Sequence, residues 1–302
     1  MRGSKSIITG GAGFIGSNLT DHLVRIGHKV VILDNLVSGK KSNISHHNKK
    51  NVKLFKIDIS KSRKLDKYFR GADYVFHLAA LAQIIPSFKN PKKYFINNVN
   101  GTLNVLEAAK KEKIKKFIYA ASSSCYGNPK KFPTSEKDKI DLKHPYAVTK
   151  FIGEELVVRY ATVHKMPNIS FRFFNVYGPR LSTSGQYSAV IGNFLSQTKS
   201  KKALTIVGDG KQTRDFIHVD DLANAFIKVI KSKLVNKIYN LGSGKSTSIN
   251  TVAKIFKGKR RHIAIRPGEP RTSLANITKL KKDINWKPKI SIQSGIKKLL
   301  DG

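Results

Sequence analysis

The stretch Ile7-Ile8-Thr9-Gly10-Gly11-Ala12-Gly13-Phe14-Ile15-Gly16 decides the reading of this chain. A short apolar run, Ser6 to Thr9, ends in a glycine-rich turn that opens directly into a helical segment, Phe14 to Ile26. Gly11, Gly13 and Gly16 satisfy G-x-G-x-x-G, and Gly10, Gly13 and Gly16 satisfy the wider G-x-x-G-x-x-G. Glycines there permit a tight turn and close backbone approach, so a pyrophosphate can sit on the helix N-terminus beside Phe14 and Ile15. A lone match is weak evidence. Here the second run, Lys29 to Leu33, ends in Asp34, where a carboxylate can accept both hydroxyls of an adenosine ribose. The same charge repels the 2'-phosphate of NADP, so NAD is the expected cofactor, with Lys40 and Lys41 softening the discrimination. Asn35 and Ser38 share that loop, and Asp58 and Ile59 follow a third run, Val52 to Lys56, near the adenine end. Asp58 is equally readable as a cap for Ser60 onward.

Working outward, the rhythm repeats. Tyr74 to His77, Lys116 to Ala121 and Asn168 to Phe173 read as further buried parallel strands, and Pro91 to Lys113 and Tyr146 to His164 as the helices between them. This βαβ alternation predicts an α/β fold with a doubly wound parallel sheet of the Rossmann type. After Asn175 the pattern breaks into shorter pieces, with a helix at Val219 to Ile230, a strand at Lys237 to Leu241 and short helices near Ile249 and Ser294. The expected division is a dinucleotide-binding domain over 1–175, joined again by segments near 212–245, and a smaller α/β substrate lobe over 176–302.

Composition limits the alternatives. The 302 residues carry 57 Lys and Arg against 19 Asp and Glu, a formal net charge of +38, with 40% hydrophobic residues. Such a chain can bury a sizeable core, which excludes disorder for most of it. The lysines are scattered through every segment instead of gathered with arginines and aromatics in one stripe, so a solvated surface that attracts anionic ligands is expected and a nucleic-acid partner is not. One cysteine, Cys125, leaves no disulfide framework, and His77, His144 and His218 make no metal site by spacing. No apolar run approaches a membrane span, and because the chain enters a strand-like segment almost at once from Met1, no signal peptide is expected. A cytoplasmic location is expected.

The chemistry is suggested by Tyr146-Ala147-Val148-Thr149-Lys150, which puts a phenol and an ammonium on one face of a helix that Pro145 can start. A nearby cation favours the phenolate, and Lys150 with an oxidised nicotinamide would lower the phenol's pKa. Y-x-x-x-K alone is common. Ser122-Ser123-Ser124, at the end of the strand from Lys116, adds a hydroxyl at the carboxyl edge of the sheet.

These segments occur in the order of a known family. The glycine turn, Asp34, His77-Leu78-Ala79-Ala80, Asn98 to Thr102, Ser122 to Gly127, Tyr146 to Lys150, Arg172 to Pro179 and Arg214 to Asp221 resemble the extended short-chain dehydrogenase/reductases, the NAD-dependent sugar epimerase/dehydratase family. Within it, the Ala-Ala-Ser-Ser-Ser run before Tyr126-Gly127 is most similar to UDP-sugar 4-epimerases, particularly those acting on UDP-N-acetylglucosamine. The resemblance implies Ser122 as the hydroxyl that bonds the sugar, Tyr146 as the base and Lys150 as its electrostatic partner. It implies cofactor contacts from Leu78, Ala79, Ala80, Asn98 and Phe173. It implies substrate contacts from Ser123, Ser124, Asn175, Arg214, Arg266, Glu269 and Ser273, the last small enough to leave room for an acetamido group. Asn276 departs from the Asp common at its position, and the C-terminal tail is short for the epimerases.

Relatives pair the helices Pro91 to Lys113 and Tyr146 to His164 into a four-helix bundle, so a homodimer is expected, with Val99, Leu103, Leu106, Ile152, Leu156 and Tyr160 as the apolar positions. Competing reactions on this scaffold are UDP-glucuronate epimerisation or decarboxylation and dTDP-glucose 4,6-dehydration. The dehydratase needs Asp and Glu at the places held by Ser123 and Ser124, the decarboxylase needs Glu at the second, and serine is a poor general acid. A non-catalytic NAD-sensing protein would have no need of the base Tyr146.

Overall fold

Ile7 and Ile8, adjacent in the first strand, are both fully buried, because successive side chains of a strand point to opposite faces and both faces of this sheet are covered. The structure, a computed structural model, describes residues 3–62, 64–183, 189–265 and 270–301. In chain order the strands are β1 (Lys5–Thr9), β2 (Lys29–Asp34), β3 (Val52–Lys56), β4 (Tyr74–His77), β5 (Lys116–Ser122), β6 (Asn168–Phe173), β7 (Asn175–Tyr177), β8 (Leu204–Val207), β9 (Thr213–His218), β10 (Lys237–Leu241), β11 (Ser246–Ser248) and β12 (Arg260–Ile263). The helices are α1 (Phe14–Arg25), α2 (Asp66–Phe69), α3 (Ile84–Lys89), α4 (Pro91–Phe95), α5 (Gly101–Lys110), α6 (Pro145–His164), α7 (Val190–Lys199), α8 (Val219–Lys231), α9 (Ile249–Phe256), α10 (Thr278–Ile284) and α11 (Ile292–Asp301).

Seven strands form one sheet in the order β10-β6-β5-β4-β1-β2-β3, every pair parallel. The order reverses between β1 and β4, so the connections after these two strands leave on opposite sides and a crevice opens at their carboxyl ends. On one face Leu19 and Leu23 of α1 and Leu222 and Phe226 of α8 pack on Ile8, Ile32, Phe76 and Ile118. On the other, Val105 and Leu106 of α5 and Val157 of α6 pack on Ile7, Leu33, Val75 and Phe117. A separate cluster around Tyr177, Phe194, Ile206 and Phe256 fills the lobe formed by the small sheets β11-β9-β7 and β12-β8. Between these lobe strands α8 and β10 rejoin the main sheet. No helix among the described residues is long and apolar enough to cross a membrane.

One expected helix is not continuous. Over Pro91–Lys110 the α-helical segments α4 and α5 are joined by a π-helical turn, Ile96–Asn100, and the helix stops at Lys110 instead of Lys113. The helix's facing also differs from the sequence expectation. Val99, in the π-helical turn, and Leu106 of α5 are buried, Leu106 against its own sheet, and only Leu103 of that trio is exposed.

The 20-residue helix α6 is tied to the sheet by charge. Glu154, 1% exposed, accepts from Arg172 of β6, with Nη2 to Oε1 at 2.6 Å and Nε to Oε2 at 3.0 Å. Arg172 Nη1 donates to the Tyr126 hydroxyl at 2.8 Å, and that hydroxyl donates to Asn240 Oδ1 at 2.7 Å. Removing one member of a buried pair leaves the other charge without compensation. Glu154→Leu should therefore lower stability by ~3–5 kcal/mol, read as a lower denaturant midpoint at unchanged m-value. A midpoint equal to wild type would contradict this role.

Candidate active site

A cleft of about 1160 Å³ follows the carboxyl edge of the sheet from the β1 turn to the lobe. At its nucleotide end the backbones are in close contact. Gly10 has φ +72°, and a Cβ there would lie 2.9 Å from the backbone of Ala79; one at Gly16 would lie 2.3 Å from the Gly10 carbonyl. Gly11, by contrast, packs toward Ile32, where a Cβ would come within 2.7 Å. Of the glycines in this turn, Gly10, Gly13 and Gly16 line the cleft. Gly13 is the N-cap of α1, makes no side-chain cap, and no acidic residue occupies the first turn. The N–H groups of Phe14 and Ile15 therefore offer a dinucleotide pyrophosphate an uncontested helix N-terminus.

Asp34 is oriented by the turn itself, accepting from the Ala12 N–H at 3.0 Å and the Leu36 N–H at 2.8 Å. Asn35, Ser38, Asp58, Ile59, Leu78, Ala79 and Ala80 line the same end. Asp58 also caps its own turn, accepting from the N–H and hydroxyl of Ser60 at 3.0 and 2.6 Å. Asn98 does not line the cleft. It is buried in the π-helical turn, where it donates to the Leu81 carbonyl at 3.0 Å and to Thr149 Oγ1 at 3.0 Å and accepts from the Leu81 N–H at 2.8 Å. It thus holds the Leu81 loop against α6 from behind.

Ser122, Tyr146 and Lys150 meet in the middle of the cleft with Ser123 and Ser124 beside them. Ser122 ends β5 and caps the next turn, its hydroxyl accepting from the Ser124 N–H at 3.2 Å and lying 2.8 Å from Ser124 Oγ. α6 begins at Pro145 because His144 caps it, Nδ1 accepting from the Ala147 N–H at 3.1 Å. The His144 ring stacks parallel to Tyr146 with centroids 5.9 Å apart, and Tyr94 meets Tyr146 edge-on. Sequence reasoning missed both of these neighbours, and the only signal was a histidine next to Pro145. Burial raises the Tyr146 pKa, opposed by a hydrogen bond with Ser122. The lowering expected from Lys150 and an oxidised nicotinamide together belongs to the cofactor-bound state; in the chain alone burial sets the direction.

Lys150 is buried with its ammonium 4.3 Å from the Tyr119 ring centroid. Burial lowers its pKa to about 7 against the raising effect of Glu154. Behind it His77 joins Thr9 Oγ1 at 2.6 Å to Thr102 Oγ1 at 2.8 Å, and burial with the Lys150 charge lowers His77 to about 3. This polar chain of Thr9, His77 and Thr102 keeps a neutral imidazole under the cleft.

The lobe end is organised by Asp215, fully buried in β9. Its carboxylate accepts from the Ser243 N–H and hydroxyl, both at 2.6 Å, and from the Gly244 and Ala275 N–H groups, both at 3.0 Å. Thr213 pairs with the neighbouring segment, donating to the Arg271 carbonyl and accepting from the Ser273 N–H. Phe173, Asn175, Arg214 and Ser273 consequently line the cleft together. Arg214 donates to the Thr213 and Pro270 carbonyls at 2.9 and 2.8 Å. Arg266 and Glu269 lie outside the described residues.

Residues 6–242 match the NAD dependent epimerase/dehydratase family. The chain belongs to that family. NAD is its cofactor. It is 35% identical over 311 residues to the UDP-glucuronate 4-epimerase of Thermodesulfobacterium geofontis, covering 98% of this chain and 94% of that one. It is 32% identical to UDP-glucuronic acid decarboxylase 2 of Arabidopsis thaliana, over 98% of this chain and 67% of the relative. A solved UDP-N-acetylglucosamine 4-epimerase from Methanobrevibacter ruminantium, in complex with UDP-N-acetylmuramic acid, superposes with a TM-score of 0.93 at 34% identity, over 100% of this chain and 99% of that one.

Because Lys150 titrates near 7 when folded and near ~10.4 when unfolded, the native state binds fewer protons between those values. Burial of Lys150 costs stability below about 7, and that cost fades as pH rises toward the unfolded value. Cofactor-free protein should gain stability over this window, and Lys150→Met should gain less. Parallel stability curves for the two proteins would refute the assignment.

Proposed function

We propose that the protein is a UDP-sugar 4-epimerase that interconverts UDP-N-acetylglucosamine and UDP-N-acetylgalactosamine, with UDP-glucose as a second substrate. The observation that carries this reading is the convergence of Ser122, Tyr146 and Lys150 in one cleft with serines, not acids, at 123 and 124. Serine supplies no general acid for dehydration.

NAD, when bound, supplies a two-electron acceptor at the sugar C4 and returns those electrons after the sugar has turned. Tyr146 takes the 4-hydroxyl proton at its Oη and gives it back on the other face. Ser122 holds that hydroxyl in line. Since burial in the chain alone raises the Tyr146 pKa, the phenolate requires positive charge from Lys150 and from the oxidised cofactor ring together. Arg214, with Arg266, clamps the diphosphate, Asn175 and Glu269 support the nucleotide end, and the sugar is left free to rotate. Ser273 beside the sugar leaves space for an acetamido group. The relatives' names support the substrate class, UDP-sugars.

A coupled assay with UDP-N-acetylglucosamine and UDP-glucose as separate substrates tests the reading. Tyr146→Phe should lose at least ~10²-fold in turnover with NAD still bound. Ser273→Tyr should suppress the acetamido reaction selectively, through overpacking of ~1–3 kcal/mol. Near wild-type turnover in Tyr146→Phe, or an unchanged substrate ratio in Ser273→Tyr, would overturn the corresponding assignment.

We further propose a homodimer through α4–α5 and α6. Support comes from the exposed apolar residues Phe88, Phe95, Leu103 and Val163 on and beside these helices. Light scattering at micromolar protein should give twice the chain mass, and a monomer mass would refute it.

A further inference from the structure

Away from the cleft, two neighbouring imidazoles converge on one carboxylate oxygen. Asp21 lies on α1, seven residues after Phe14, or roughly 10 Å along the helix. His46 and His47 lie in the turns between Lys41–Asn43 and β3. His47 Nε2 is 2.7 Å and His46 Nε2 3.0 Å from Asp21 Oδ1, with the two ring centroids 4.0 Å apart. One donor atom from each of the three residues lies within 4.8 Å of the other two. Arg180 Nη2 holds the second oxygen, Asp21 Oδ2, at 2.5 Å. The side chains of His47 and Asp21 are 10% and 21% exposed and that of His46 is 50% exposed, so the open side of the cluster faces water.

We infer that Asp21, His46 and His47 bind a transition-metal dication of the Zn²⁺ class, with water completing the coordination. Two imidazole nitrogens and one carboxylate oxygen suit Zn²⁺, Co²⁺ or Ni²⁺, whereas Mg²⁺ and Ca²⁺ prefer all-oxygen sets. A tetrahedral ion with bonds of ~2.0–2.2 Å places its ligand atoms about 3.3–3.5 Å apart. The present separations of 2.7 and 3.0 Å would have to open by roughly 0.3–0.8 Å. Arg180 acts as the outer partner that fixes the carboxylate's orientation. Its charge also opposes a dication, so the site is weaker than a four-ligand structural zinc site. Asp220 is not a further ligand, because His22 Nε2 engages it at 2.9 Å.

The ion would tie α1 to the segment running on from the Asn35–Ser38 loop and, through Arg180, to the connection after β7. Its role is a clamp across three parts of the chain, separate from the chemistry at Tyr146. The experiment uses tag-free full-length protein, stripped with a chelator and dialysed against Zn²⁺, Co²⁺ or Mg²⁺. The expected result is one equivalent of Zn²⁺ retained per chain, a raised melting temperature, and with Co²⁺ the visible absorption of a four-coordinate nitrogen and oxygen site. Mg²⁺ should have no effect. His46→Ala combined with His47→Ala should abolish retention, while His22→Ala should keep it. Absence of the Co²⁺ spectrum in the wild type would overturn the proposal whatever the variants do. So would equal Zn²⁺ retention in the double variant, or its loss in His22→Ala.

Discussion

The cleft depends on how closely two turns can approach. Gly10 after β1 and Ala79 after β4 meet backbone to backbone, at a distance no side chain at Gly10 would allow. Gly16 lets the first turn of α1 settle on the carbonyl of Gly10. With those contacts made, the helix N-terminus points into the crevice that the reversed strand order opens, and Asp34 reaches it from the neighbouring strand. A bulkier turn would lift α1 from the sheet and remove the phosphate site and the ribose site together.

The second constraint is electrostatic and concerns α6. Tyr146, Lys150 and Glu154 follow one another at single-turn spacing, and both Lys150 and Glu154 are buried. Arg172 engages both oxygens of Glu154, so Lys150 receives only a through-space benefit from that carboxylate and is not locked into an ion pair. Its ammonium rests on the Tyr119 ring and its pKa falls to about 7. A lysine so poised loses or holds its proton according to what charge enters the cleft. The same arrangement anchors the helix to β6, so one set of buried charges serves both stability and the site's electrostatics.

Among the described residues, buried carboxylates help join the lobe to the sheet. Asp215 gathers four donors from the turn after β10 and from the Ala275 segment. That draws Ser273 and Arg214 to the cleft. Asp221 does the same for the C-terminal part of the chain, accepting from the Lys289 and Ile290 N–H groups at 3.0 and 2.9 Å. Buried carboxylates that accept several backbone donors are costly to desolvate and lose stability when any partner is removed, which makes them effective at holding irregular segments in one arrangement.

The sequence by itself determined all seven strands of the main sheet, β10 at Lys237–Leu241 included, the helices α1, α6 and α8, the glycine turn, and the pairing of Asp34 with that turn. These signals are local, carried by apolar period, turn residues and short spacings. Tertiary structure decided the rest. It chose Gly10, Gly13 and Gly16 over Gly11 as the cleft glycines, because only the packing of Ile32 distinguishes them. It broke the helix after Phe95 with a π-helical turn that sends Asn98 to Leu81 and Thr149 instead of into the cleft. It turned Val99 and Leu106 inward, where apolar period alone cannot say which partner a stripe covers. The lobe strands are short, from three to six residues, too short for periodicity to detect, and Asp215 of β9 holds the turn after β10 and the Ala275 segment beside them. The meeting of Asp21 with His46 and His47, 25 and 26 residues later in the chain, has no sequence signature. It exists because the connection from β2 to β3 folds back over α1, a contact that only the packed chain creates.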